Sequence, residues 1–135
     1  MHLLLIHQNF PGQFRDLGPA WLKAGHTVSA IGEAELSQND SRWDGLNYHH
    51  YNLPSASSPS PLERGQAIAA ICHHLQQQGC NPNVVIAHSA WGEALQLHHV
   101  FPDIPQISLP ELWGTPHALG HGFDRARKGD SPSKN

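Results

Sequence analysis

Two stretches of hydrogen-bonding side chains in this sequence each follow a short apolar run and precede a turn. The first is His7–Gln8–Asn9, which follows the apolar run at 2–6 and leads to Gly12. The second starts at His88, directly after the apolar run at 84–87. Imidazole and amide groups both donate and accept hydrogen bonds at neutral pH. These side chains could therefore hydrogen-bond the polar groups of a ligand.

Several neighbouring residues are further candidates, each with a structural alternative. On the residues alone, a histidine bonded to the backbone at a strand end is the simpler interpretation of His88. Trp91 could stack on a ring of the ligand, although a tryptophan at a helix start more often packs against the core. Glu93 stabilises a helix dipole whenever it stands in the first turn. Asn9 could cap its own loop, and Glu111 follows another apolar run and could face the same site.

Apolar runs and helical spacings predict the elements that hold these residues. Strands are predicted at 2–6, 26–31, 46–53, 84–87 and 105–109. Helices are predicted from Gln13 to Gly25, from Pro61 to Gly79, and from the turn after His88 through Phe101. Ser60 and Glu63 form a capping box before the second helix. The alternation predicts an α/β fold, a Rossmann-like three-layer domain with a mainly parallel sheet of about five strands and helices on both faces.

The predicted topology brings the two polar stretches together. In a doubly wound sheet the first and fourth strands are neighbours on either side of the switch point, and ligands bind beyond the carboxyl ends of the strands there. We therefore expect His7–Gln8–Asn9 and His88 to line one crevice, with the two histidines at the ends of adjacent strands.

Length and charge limit the class of protein. The 135 residues suit one domain, which we assign to 1–124, followed by a polar tail at 125–135 that is predicted to be disordered. A net charge of −3 and the absence of a basic stretch predict no nucleic-acid partner. Two cysteines, no long apolar run and no signal-peptide pattern predict a cytoplasmic protein.

The sequence is rich in histidine, with 12 residues of this type. They are scattered, and the three adjacent pairs point to different faces of a strand or helix, which makes each pair a poor chelate. Neither an H-E-x-x-H nor a C-x-x-C pattern occurs. We therefore predict solvated surface histidines and no metal site.

Several motifs resemble a bacterial subset of glycosyltransferase family 4. They are HQNFPGQF at 7–14, AGHTV at 24–28 and VVIAHSAWGEALQLHHVFPD at 84–103, with looser matches at PEL (110–112) and GFD (122–124). The resemblance implies the GT-B architecture, in which two Rossmann-like domains face each other across a cleft. It also implies that the first domain binds the acceptor and the second holds the nucleotide-sugar donor and an E-x7-E signature.

The resemblance implies roles for individual residues. His88 occupies the position of a family histidine close to the donor sugar and is the expected catalytic residue. The other expected substrate-binding residues are His7, Gln8, Asn9, Gly12, Trp91, Glu93 and Glu111. Gly12 would let backbone N–H groups approach a phosphate beside a helix N-terminus. The family retains anomeric configuration without a metal-binding D-x-D motif, so no cofactor is expected.

The resemblance also implies partners. They are a nucleotide-sugar donor, held with a second domain, and a saccharide or lipid-linked acceptor. No second Rossmann-like half and no E-x7-E pattern follows residue 110, so we expect this chain alone to be a non-catalytic fragment. Its exposed cleft face would allow self-association. Its location is expected to be cytoplasmic or peripheral to the inner membrane face.

Three alternatives stay open from the sequence. The chain could be a stand-alone Rossmann-like binding or interaction module without catalysis. A dinucleotide-binding oxidoreductase is disfavoured because HQNFPGQF at 7–14 contains one glycine instead of G-x-G-x-x-G. A metal-binding protein built on the histidines is the least favoured.

Overall fold

The computed structural model describes residues 1–36, 39–53 and 59–111 of the chain. The expected domain end at 124, the polar tail at 125–135 and the GFD motif lie outside these residues.

A five-stranded parallel sheet forms the centre of the domain. The strands are β1 (His2–Ile6), β2 (Thr27–Gly32), β3 (Asn47–His50), β4 (Val84–His88) and β5 (Gln106–Leu109). Their order across the sheet is β3-β2-β1-β4-β5, and every neighbouring pair is parallel. In the central strand, Leu5 lies opposite Ala30 of β2 and Ile86 of β4. The chain thus reverses its winding between β1 and β4, which gives the sheet the expected switch point.

Within the described residues, three α-helices accompany the sheet: α1 (Leu17–Lys23), α2 (Pro61–Gln77) and α3 (Leu97–Val100). Short 3₁₀ turns form at Gly12–Phe14 and Ser41–Trp43. The start of α2 matches the sequence prediction. The Ser60 hydroxyl accepts the Glu63 backbone N–H at 3.2 Å, and the Glu63 carboxylate accepts the Ser60 N–H at 2.8 Å. This reciprocal cap satisfies backbone donors that the first turn of a helix otherwise leaves free.

The sheet separates two apolar clusters. Alternate side chains of β1 point to opposite faces, so Leu4 and Ile6 enter one cluster and Leu3 and Leu5 the other. The first cluster includes residues of α2 and α3, and the second includes Phe14 and, at its margin, Trp21 and Leu22 of α1. Helices therefore cover both faces, and the predicted α/β, Rossmann-like three-layer fold is confirmed.

The first predicted helix begins later than expected. A 3₁₀ turn occupies Gly12–Phe14, and α1 starts only at Leu17. A continuous helix from Gln13 would place Pro19 in its interior, where the ring would clash with the carbonyl one turn earlier. Starting at Leu17 puts Pro19 in the first turn, where a missing N–H costs no hydrogen bond.

The helix predicted after His88 is also much shorter. Residues 90–96 form turns and a bend, and α3 contains only Leu97–Val100. Gly92 has a φ of +104°, a left-handed conformation that interrupts a right-handed helix. Glu93 consequently does not lie in the first turn of a helix, and the interpretation of Glu93 as a partner of the helix dipole is wrong.

Candidate functional site

The two histidines predicted to share a crevice are in contact at the carboxyl edge of the sheet. His7 directly follows β1, His88 ends β4, and these strands are neighbours. The ring centroids lie 4.4 Å apart and the ring planes are inclined by 28°, a stacked arrangement. Both side chains are buried. The sequence therefore predicted the placement of both residues.

Hydrogen bonds assign the position of the proton on each ring. The Asn9 backbone N–H donates to His7 Nδ1 at 3.0 Å, so the proton of a neutral His7 ring is on Nε2. His88 Nδ1 lies 2.9 Å from Glu93 Oε1. A carboxylate only accepts hydrogen bonds, so the proton of a neutral His88 ring is on Nδ1 and its Nε2 is a bare acceptor.

The bare Nε2 of His88 is buried and has no hydrogen-bond partner among the described residues. Glu111 Oε2 lies 3.5 Å away, but the two atoms do not meet in hydrogen-bond geometry. Two acceptors therefore face each other, and a hydroxyl donor near them could hydrogen-bond to either or both. The arrangement suits binding of a ligand hydroxyl at this point.

Glu93 is buried completely, with 0% of its surface exposed. Besides contacting His88, it accepts the Trp91 backbone N–H on Oε2 at 3.0 Å and the Gln8 backbone N–H on Oε1 at 3.4 Å. Its carboxylate thus ties the chain after β1 to the chain after β4. Because protein groups contact both of its oxygens, the structure places Glu93 against His88, and direct binding of substrate by Glu93 stays a prediction.

Glycines give the loop after His88 its path. Gly92 lies so close to the backbone of Pro61, at the start of α2, that a Cβ on Gly92 would overlap it. A Cβ on Gly65 of α2 would in turn lie 3.0 Å from the Gly92 carbonyl oxygen. This close approach, together with the positive φ of Gly92, turns Glu93 inward under the histidine.

The surroundings of His7 keep its ring neutral at pH 7. Burial lowers the pKa of His7 below its ordinary value of 6.5, and the neighbouring His88 lowers it further. The carboxylates of Glu93 and Glu111 act in the opposite direction without reversing the shift. Neutral His7 can donate from Nε2 while its Nδ1 holds the backbone of Asn9.

Gly12 has a structural reason to be glycine. Its φ is +46°, and the imidazole of His7 occupies the space that a Cβ would need. The helix expected to follow directly begins instead at Leu17. A phosphate contact at Gly12 stays a prediction. It is supported because glycine has no side chain to block the backbone, and not by a helix that begins beside it.

The remaining predicted residues border two hollows at the same edge. Trp91 is 51% exposed, and the Glu111 side chain is 52% exposed. Both line a hollow of about 250 Å³ that also contains Ser89, Ala90 and Pro110. The second hollow, of about 590 Å³, is lined by Gln8, Asn9, Phe10, Glu33, Ala34, Glu35 and Tyr48.

Sequence reasoning missed Arg64 and Glu33. Arg64 is buried in the first turns of α2, and its Nη1 donates to Gln8 Oε1 at 2.6 Å and to Glu33 Oε2 at 2.9 Å. Two signals could have found the pair. Arg64 stands four residues before Ile68 on the apolar stripe of α2, and Glu33 directly follows β2. The pair fixes the side chain of Gln8 at the edge of the crevice.

Two further observations concern metal and membrane. Within residues 1–36, 39–53 and 59–111, no group of three or more His, Cys, Asp or Glu side chains is arranged to hold a metal ion. None of the helices in the described part of the chain has the length and apolar character needed to cross a membrane.

Comparison with known proteins identifies one family and one fold. The sequence pattern of the glycosyl transferase family 4 group matches residues 24–134. That match includes His88, Trp91, Glu93 and Glu111 and begins after the first polar stretch. A search of curated proteins returned no match.

Two solved structures of the C-terminal domain of the PF1911 hydrogenase from Pyrococcus furiosus share the fold. One has a TM-score of 0.60 at 13% identity and covers 80% of this chain and 89% of its own. The other has a TM-score of 0.57 at 10% identity, covering 79% and 88%. At this identity the likeness concerns the fold alone.

Proposed function

Since the chain belongs to the glycosyl transferase family 4 group, we propose that its domain is the acceptor side of a retaining glycosyltransferase. The complete reaction transfers a sugar from a nucleotide-sugar donor to a saccharide or lipid-linked acceptor. The site lies at the carboxyl edge of β1 and β4. We propose a cytoplasmic location, or one at the inner face of the membrane.

One observation carries the proposal: a bare, buried nitrogen of His88 at the switch point of the sheet. This nitrogen can accept a hydrogen bond from a sugar hydroxyl, and in a site largely closed to water such a bond is stronger than in solvent. We propose His88 as the catalytic residue in this sense. It orients the sugar while the leaving diphosphate is stabilised elsewhere in the cleft.

Neighbouring residues have complementary roles in the proposal. Gln8 and Asn9 hydrogen-bond acceptor hydroxyls, and His7 donates from Nε2. Trp91 offers an exposed aromatic face to a sugar ring. Beside His88, Glu111 accepts a hydrogen bond from a sugar hydroxyl group. For Gly12 we retain a backbone contact with phosphate. Aromatic faces and paired hydrogen-bond acceptors are the groups that a polyhydroxylated ligand needs.

The donor belongs to a second domain in this proposal. The described residues form one α/β domain with one carboxyl edge, whereas a GT-B site needs two such edges facing each other. We therefore expect the 135-residue chain by itself to release no nucleoside diphosphate from UDP-, GDP- or ADP-sugars in the presence of saccharides. Turnover by this chain alone would contradict the division into acceptor and donor sides.

Saccharide binding tests the proposal directly. Amide NMR signals of the ¹⁵N-labelled chain are followed while mono- and oligosaccharides are added, and separately while nucleotide-sugars are added. We expect saccharides to shift the amides of Gln8, Asn9 and Ser89. The amides of Thr27 and Asn83, at the opposite edge of the sheet, serve as the internal control. An acceptor role is wrong if no saccharide shifts the first set, or if both sets shift equally.

A further inference from the structure

Glu93 stands five residues after His88, the candidate catalytic residue, and its side chain is completely buried against the ring of that histidine. We propose that Glu93 is a positioning residue that holds the proton of His88 on Nδ1 and so keeps Nε2 a bare acceptor on the side of Glu111. The use of Nε2 by a sugar rests on the proposed function. The position of the proton does not, because the contacts within the domain determine it.

The hydrogen bonds around the carboxylate define this role. His88 Nδ1 contacts Oε1 at 2.9 Å, while the backbone N–H of Trp91 donates to Oε2 at 3.0 Å. A buried carboxylate requires such donors because water cannot replace them. Both oxygens are therefore acceptors towards the protein, and the imidazole has to be the donor. A neutral imidazole carries one N–H group, so its other nitrogen is left without a proton.

The loop geometry makes Glu93 a rigid support. Gly92 packs against the backbone of Pro61, and the Gln8 backbone N–H reaches Glu93 Oε1 at 3.4 Å from the other strand end. The carboxylate is thus fixed by groups on both strands that carry the stacked histidines. Partners that orient a functional imidazole in this way determine which of its nitrogens faces the ligand.

A glutamine at this position could not replace the carboxylate. Its amide has one acceptor oxygen and one donor nitrogen, whereas three N–H groups now point at Glu93: those of His88 and Trp91 and, at the longer distance of 3.4 Å, that of Gln8. If the oxygen accepts from Trp91, the amide nitrogen meets His88 Nδ1. The imidazole then has to accept there, and its proton moves to Nε2. The opposite amide orientation would set the amide nitrogen against the Trp91 N–H at 3.0 Å, which is costlier than opposing the more distant Gln8 N–H at 3.4 Å.

The tautomer of His88 can be measured on the 135-residue chain. The ring nitrogens of the ¹⁵N-labelled protein are observed by NMR at about pH 8, where an ordinary imidazole is neutral. Signals are assigned by their loss in the His88→Gln variant. Glu93→Gln is compared with Glu33→Gln, because Glu33 also accepts a side-chain N–H at 2.9 Å but from Arg64 instead of His88.

We expect His88 to carry its proton on Nδ1 in the wild-type and Glu33→Gln chains and on Nε2 in Glu93→Gln. Where this domain is joined to a donor domain, Glu93→Gln should also lower kcat by about 10–100-fold with a smaller change in KM. A wild-type His88 with its proton on Nε2 overturns the inference without any variant, even if Glu93→Gln fails to fold. An Nδ1 proton retained in Glu93→Gln overturns it as well. Correct tautomers, together with no sugar transfer by an enzyme that joins this domain to a donor domain, would contradict the proposed function alone.

Discussion

The imidazole rings of His7 and His88 are stacked at the ends of two adjacent strands, with centroids 4.4 Å apart. Each ring is oriented by a different partner: the Asn9 backbone N–H holds His7 through Nδ1, and Glu93 holds His88 through Nδ1. One ring is therefore expected to present a donor at Nε2 and the other an acceptor. A stacked pair of this kind can bind both the hydrogen and the oxygen of neighbouring hydroxyl groups.

Stability should decrease in mild acid because His7 is buried beside His88. Burial, and then the proximity of His88, lower the pKa of His7 below 6.5. The unfolded chain therefore binds a proton at higher pH than the folded chain does, and the free energy of unfolding rises with pH in this range. The contribution is present above the unfolded-state pKa of 6.5 and is lost as the pH falls from there through the lower folded-state pKa, by at most about 1.4 kcal/mol per pH unit for one histidine.

Urea denaturation from pH 8 to pH 5 measures this effect. The pKa values of His2 and His49 are also lowered, mainly by burial, so they contribute in the same direction. His7→Asn, whose amide oxygen can still accept the Asn9 N–H, should reduce the slope without abolishing it. His98→Asn, at an exposed position, is the control for replacing a surface histidine. Equal slopes for wild type and His7→Asn would contradict the expected titration of His7.

Alanine at Gly12 should be more harmful than alanine at another glycine with positive φ. Gly12→Ala combines the left-handed conformation, about 1–2 kcal/mol, with displacement of the His7 ring, about 1–3 kcal/mol by analogy with overpacking. Gly25→Ala has a φ of +87° but open space around the added methyl group, so only the first cost applies. Urea denaturation of both variants checks the difference. A Gly12→Ala variant no less stable than Gly25→Ala would mean that His7 is not held against Gly12.

The sheet and its crevice could be predicted because local sequence determines them. Five apolar runs, the capping box at Ser60 and Glu63, and the rules of winding for parallel strands led to the correct topology and to adjacent positions for His7 and His88. The segments that failed depend on backbone conformations that periodicity does not reveal. Pro19 delayed α1, and the left-handed Gly92 replaced most of a predicted helix with turns.

The hydrogen bonds that hold the site residues in place were harder to predict, for a related reason. Glu93 reaches His88 only because Gly92 packs against the backbone of Pro61, a contact between segments about 30 residues apart in sequence. The hydrogen bonds from Arg64 to Gln8 and Glu33 likewise join three elements. Sequence patterns describe which face of an element is buried, but they do not state which polar groups meet within the interior.

His88→Ala should reduce catalysis far more than stability. In an enzyme that joins this domain to a donor domain, removal of one hydrogen bond that strengthens in the transition state should lower kcat by about 10²–10³, by analogy with the loss of a single oxyanion donor. A purely structural histidine would instead lower the melting temperature and leave the folded fraction almost fully active. His99→Ala, at an exposed position of α3, is the matched control.

Both properties have to be measured on the same preparation, because loss of the Glu93 contact also destabilises the variant to some extent. The buried carboxylate of Glu93 loses its partner at 2.9 Å, so we expect a decrease of about 1–3 kcal/mol in the free energy of unfolding. Specific activity is therefore corrected for the folded fraction, obtained from circular dichroism at the assay temperature. If kcat decreases less than about threefold, the activation free energy has risen by less than roughly 0.7 kcal/mol. In that case His88 is a structural residue, and the crevice between β1 and β4 is not where the sugar is oriented.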